Sequence, residues 1–141
     1  KAVFEKPEFG YSLPARPEVN GTIISHPDEH TIFPLRIGVW LMPNNQLEGI
    51  LEDFMQELVI ENDPLFSMAT ETVKNVATTI ASPLRFADKD RSKALIHTYL
   101  AWQKDLGTPM GQKKTKKYFD SNAAVAKRFV DWLNRLFNPE T

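Results

Sequence analysis

Leu35-Arg36-Ile37-Gly38-Val39-Trp40-Leu41-Met42 is the stretch on which the fold turns. It is nearly continuously apolar, it contains β-branched and aromatic residues, and Pro34 and Pro43 close both ends. A strand covered on both faces reads this way, so the stretch predicts a sheet with helices on both sides. Gly38 marks either a bulge or a close backbone approach.

Downstream of this strand the periodicity changes to that of helices. Asn45 is predicted to start the first one, with its side chain capping the opening turn and Glu48 reaching back three residues later. Leu47, Ile50, Leu51, Phe54, Met55 and Leu58 then form one apolar stripe. Asp63-Pro64 reads as N-cap plus first-turn proline for a second helix that runs to Ile80, with Leu65, Ala69, Val73, Val76 and Ile80 facing inward. Asp90 is expected to cap a third helix, whose Leu95, Ile96, Tyr99, Leu100 and Trp102 pack inward until Gly107 and Pro109 stop it. A fourth is predicted from Ser121 to Phe137, with Val125, Phe129, Val130, Leu133 and Leu136 as its buried stripe.

Upstream, residues 1–34 form a proline-rich irregular segment. Pro7, Pro14, Pro17, Pro27 and Pro34 all fall there, and each fixes φ and removes a backbone donor. Gly21-Thr22-Ile23-Ile24 is the one short strand expected in it. Residues 35–141 then carry the strand and the helices. Together they make a helix-rich α/β pattern with one clear strand and about four helices. A single strand cannot make a sheet. Its partners must come from the first 34 residues, from another chain, or from a part upstream of Lys1. Ala2-Val3-Phe4 reads like the middle of a structured element, so loss of an upstream half is expected, with removal of a leading Met or tag as the simpler alternative.

Composition narrows the classes of function. The 141 residues are 42% apolar and 25% charged, the values of a globular domain long enough to bury a core. Cysteine is absent, which excludes a disulfide scaffold, a thiolate metal site and a cysteine nucleophile, and fits a reducing, cytoplasmic setting. Seventeen basic residues against eighteen acidic ones leave a net charge of −1, so any contact with nucleic acid rests on a local patch. No apolar run approaches a membrane span, and a soluble protein without a membrane partner is expected. P-loop, dinucleotide-binding and serine-elbow patterns are all missing from the sequence.

Four groups of residues have types that carry chemistry. Glu48, Glu52 and Asp53 project from the polar face of the first predicted helix, just past the carboxyl end of the strand, where α/β sheets gather ligands. Carboxylates there suit magnesium, although charge on an amphipathic helix is ordinarily solvation. Asp88-Lys89-Asp90 precedes a helix, so capping is the simpler role for its acids. Lys93, in that helix's first turn, is a surface lysine unless Glu52 lies close, in which case it can neutralise phosphate charge. His26-Pro27-Asp28-Glu29-His30 has ligand types, but Pro27 works against a helical histidine pair and a polar loop explains it as well. Lys113, Lys114, Lys116 and Lys117, beside Tyr118 and Phe119, are the only basic cluster and a candidate grip on a nucleic-acid backbone.

Several segments in order carry a resemblance: Gly10-Tyr11-Ser12-Leu13-Pro14, Gly21-Thr22-Ile23-Ile24, Ile37 to Asn45, Gly49 to Phe54, Lys93 to Gln103 and Phe129 to Phe137. They resemble an uncharacterised bacterial family with a Toprim-like fold. That family is similar to the nuclease-type Toprim proteins that accompany ABC-class ATPases, the overcoming-lysogenisation-defect group included. The resemblance implies a longer parent, of which this chain looks like the C-terminal portion, with an early glutamate and an Asp-x-Asp pair upstream. It implies a metal role for Glu52 and Asp53 as the downstream Glu-Asp of such nucleases, and a looser match of Lys93 to their basic residue. Asp88 and Asp90 do not fall where the family's Asp-x-Asp belongs, and the lysine run at 113–117 departs from the family pattern.

Two functions follow as expectations. One is a magnesium-dependent nuclease or related phosphoryl-transfer domain, inactive as this stretch alone, with Glu52 and Lys93 as its catalytic residues, Glu52 and Asp53 on the metal and the four lysines on nucleic acid. The other is a non-catalytic binding or scaffold module that docks on an ATPase partner, with Phe129, Trp132 and Phe137 as a candidate exposed patch.

Overall fold

The computed structural model describes residues 10–30, 32, 35–80, 82–83, 85–104 and 118–138. Its elements are β1 (Thr22–Ser25), β2 (Arg36–Val39), α1 (Leu51–Gln56), α2 (Pro64–Thr79), α3 (Arg91–Ala101) and α4 (Ala124–Phe137), with a 3-10 turn at Asp88–Asp90 before α3. Among the described residues this is a helix-rich α/β arrangement with four α-helices and a small sheet. No helix among the described residues is long and apolar enough to cross a membrane.

The sheet differs from the expected one. β1 and β2 pair antiparallel, Thr22 opposite Val39 and Ser25 opposite Arg36, and they make a two-stranded sheet. All four β2 residues are half-buried rather than enclosed on both faces. The partner strand comes from the first 34 residues, one of the three sources left open. A two-stranded ribbon has no third strand to cover it, so its apolar side chains need a helix.

The chain divides into two units, one holding the residues up to Glu48 with those from Ala124 onward, the other Gly49–Ala123. In the first unit, α4 packs on β2. Trp132 is buried, and its indole N–H donates to the carbonyl of Thr22 at 3.2 Å. Trp40, Phe129 and Trp132 form an aromatic cluster with ring centroids 5.1–5.6 Å apart. The Arg36 guanidinium donates to the Leu136 carbonyl near the end of α4 at 3.1 Å, satisfying one of the acceptors a helix terminus leaves open. Gly38 is resolved as a close approach: Ile23 sits opposite it in unbroken register, and Trp132 and Leu136 occupy the space a Cβ would need. Of the aromatic patch expected on α4, only Phe137 is strongly exposed, at 72%.

The second unit is helical. Met55 of α1, Ala69 and Val73 of α2, and Leu95, Ile96, Tyr99 and Leu100 of α3 form its core. Phe66, Phe86 and Phe119 pack against it. Asp63 caps α2 as its sequence requires, its carboxylate accepting from the Leu65 N–H at 2.8 Å with Pro64 in the first turn. The Tyr99 hydroxyl donates to the other oxygen of Asp63 at 2.7 Å, which ties α3 to the start of α2.

Two helix starts and one cap differ from expectation. α1 begins at Leu51, not at Asn45. Asn45 takes a left-handed φ of 65°, accepts from the Leu41 N–H at 2.7 Å and donates to the Val19 carbonyl. Asn44 accepts from the N–H groups of Gln46 and Leu47. Side chains that bond nearby backbone in this way compete with the helix, and here the turn wins. Asp90 stands at the start of α3 but makes no capping bond; its carboxylate pairs with Lys93 at 3.5 Å instead. α4 begins at Ala124, because Asp120 folds Ser121–Ala123 into a turn by accepting the Asn122 N–H at 2.8 Å. Ile80 and Val130, expected inward, are 51% and 46% exposed.

Candidate functional site

The predicted acids sit in the first turn of α1. Ile50 precedes this helix and has no polar side chain, so the exposed N–H groups of the first turn need another acceptor. Asp53 supplies it for Ile50: its Oδ2 accepts the Ile50 N–H at 2.8 Å, the backward half of a capping box. The other oxygen of Asp53 accepts from the Gln56 amide at 3.3 Å and from the Ser92 hydroxyl at 2.5 Å. The Ser92 bond is short, as expected where a hydroxyl meets a carboxylate.

Ser92 lies in the first turn of α3, next to Lys93. The Asp53–Ser92 bond therefore sets the acidic turn of α1 against the turn that bears the predicted lysine. Lys93 itself is exposed and pairs with Asp90. Asp88, beside it, pairs with Arg85 at 3.3 Å and Arg91 at 3.7 Å. These surface pairs have little effect on stability. Glu52 is half-buried, and no described residue forms a hydrogen bond or ion pair with its carboxylate. The structure thus brings together the turns of Glu52, Asp53 and Lys93. Lys113, Lys114, Lys116 and Lys117 lie outside the described residues.

Magnesium takes six oxygen ligands, with several from carboxylates or phosphates and the rest from water. Among the described residues no three His, Asp or Glu side chains come together as a ligand cluster. Asp53 already accepts three hydrogen bonds. The histidine loop is polar turn structure: the Asp28 N–H donates to His26 Nδ1 at 3.0 Å, the His30 N–H donates to Asp28 at 2.9 Å, and Tyr11 stands edge-on to the His26 ring at 5.1 Å.

Sequence reasoning did not find Ser92 or the Tyr99–Asp63 pair. Ser92 carried no signal beyond its place in a first turn, where serine is common. Tyr99 counted only as an apolar core residue, although a buried tyrosine hydroxyl ordinarily needs a partner. Burial first, then the Asp63 hydrogen bond and charge, hold the Tyr99 hydroxyl well above the usual tyrosine range, with Gln103 acting in the opposite direction. Tyr99 is therefore a neutral hydrogen-bond donor, not a base.

The architecture is that of a helix-rich α/β protein whose acidic α1 turn is fastened to α3. The chain belongs to the family described as protein of unknown function DUF3226, whose model matches residues 2–138. No curated protein and no solved structure matches the chain.

Proposed function

We propose that the chain is part of a Toprim-like phosphoryl-transfer protein of the nuclease type, acting on nucleic acid in the cytoplasm and inactive as this stretch alone. The observation that supports the reading is the Ser92–Asp53 hydrogen bond at 2.5 Å, which joins the acidic turn of α1 to the turn carrying Lys93. In this reading Glu52 is the reactive acid of the pair, because its carboxylate has no partner among the described residues. Asp53 holds the turn in place, and Lys93 exchanges its weak surface pair with Asp90 for a phosphate oxygen. Magnesium belongs to the reading as the counter-ion of such chemistry, with its remaining ligands outside the described residues.

A second reading is favoured by one fact: Asp53 is committed to holding the backbone and Ser92. A non-catalytic module that docks on an ABC-class ATPase needs only that structural role. The two readings part at Glu52. Calorimetric titration of manganese into the 141-residue chain, and into the longest natural coding product that contains it, separates them. Binding by the longer protein that is lost in Glu52→Gln supports the phosphoryl-transfer reading. Absence of binding in both proteins supports the scaffold.

A further inference from the structure

α4 carries Arg128, Asp131 and Arg135 at a spacing that places them on one face of the helix. With Asn20 they line an open pocket of about 420 Å³, a volume suited to a small ligand. Arg135 is fixed there, its guanidinium donating to the Asn20 carbonyl. Arg128 is half-buried, its Nε is fully covered, and no described residue accepts a hydrogen bond from that atom. Asp131, one turn along the same helix, forms no ion pair with either arginine.

A guanidinium nitrogen covered from water without an acceptor is costly, and such atoms are normally hydrogen-bonded. The Arg128 cation lines a pocket instead of meeting the carboxylate beside it. We infer that Arg128 and Arg135 form a binding site for the phosphoryl group of a small hydroxyl-bearing phosphate ester. The guanidinium ends donate in parallel to phosphate oxygens, a geometry arginine is shaped for. The Asp131 carboxylate repels a bare phosphate but accepts a hydrogen bond from a neighbouring hydroxyl of the ester. That combination of two cations and one acceptor distinguishes a sugar phosphate from inorganic phosphate. The site is independent of the α1 acids and of the function proposed for them.

Isothermal titration of the 141-residue chain at low ionic strength tests the inference, with inorganic phosphate and ribose 5-phosphate as probes. Both are expected to bind saturably, ribose 5-phosphate the more tightly. Arg128→Gln is expected to weaken both by about tenfold or more, the loss of one charge-assisted contact. Asp131→Asn, at an exposed position, is expected to tighten inorganic phosphate and to narrow the preference for the ester. The inference is overturned if neither probe binds at millimolar concentration, or if folded Arg128→Gln binds both as the parent does. Should Arg128→Gln fail to fold, Asp131→Asn decides: an unchanged phosphate affinity overturns the site.

Discussion

The Ser92 hydroxyl donates to Asp53 at 2.5 Å across 39 positions of sequence, and through it the short α1 is fastened to α3. A six-residue helix is too short to hold itself. Its placement depends on Phe54 and Met55, both buried, and on this bond. Ser92→Ala is expected to destabilise the fold by about 1–3 kcal/mol, the range for a hydrogen bond to a charged group. Asp53→Ala should cost more, because it also uncaps Ile50. Urea unfolding of both single variants and of the double variant measures the coupling. Strict additivity would show that the two residues do not act together.

Tyr99 gives the stability a dependence on alkaline pH. Its hydroxyl titrates above the unfolded tyrosine value near pH 10, so above that pH the native state keeps a proton that the unfolded chain has released. The unfolded state then binds fewer protons, and stability falls as pH rises. The stabilisation is complete below pH of about 10 and is lost as pH climbs from there toward the folded value. Tyr99→Phe should flatten this alkaline decline, while lowering stability at neutral pH by about 1–2 kcal/mol through loss of the Asp63 bond. Denaturant melts at neutral and alkaline pH check both parts.

Gly38 is where the small sheet admits the aromatic face of α4. A Cβ at this position would come within 2.7 Å of Trp132 and closer still to Leu136. Gly38→Ala is expected to lower stability by about 1–3 kcal/mol through overpacking. Near-ultraviolet circular dichroism should report the displaced Trp132, and a thermal melt the lost stability. A neutral substitution would mean that α4 can shift away from β2 without cost.

The elements that could be read from sequence are those whose signals are local and agree with one another. Asp63-Pro64 and the run of Ala69 and Val73 gave α2 its start and its inward face, and both stand. Leu95, Ile96, Tyr99 and Leu100 likewise form the buried face of α3, whereas Trp102, expected inward with them, lies just past the helix and is 39% exposed. Asn45 was misleading because asparagine serves equally as a helix cap and as a left-handed turn residue. The apolar spacing from Leu47 onward masked the choice, and Leu47 and Leu51 are in fact 64% and 47% exposed. The strand at Leu35–Met42 had the composition of an enclosed strand, but β2 is only half-buried, with α4 packed against it.

The candidate site was legible only in part. Glu52 and Asp53 stand out as adjacent acids, yet their sequence spacing does not distinguish a ligand from a capping residue. That distinction depends on Ser92, which is distant in the chain. The Arg128, Asp131 and Arg135 spacing was present in the sequence as a charged helix face, and such faces are ordinarily solvated. Its pocket appears only when Asn20 is brought alongside by the fold.

The most direct test of the account is magnesium-dependent cleavage of single- and double-stranded nucleic acid, measured on the 141-residue chain and on the longest natural coding product that includes it. The account predicts no cleavage by the 141-residue chain. It predicts cleavage by the longer protein that falls at least about a hundredfold in Glu52→Gln while the unfolding midpoint stays unchanged, as for loss of a group that acts in the transition state. Cleavage by the 141-residue chain, or full activity of Glu52→Gln in the longer protein, would contradict it.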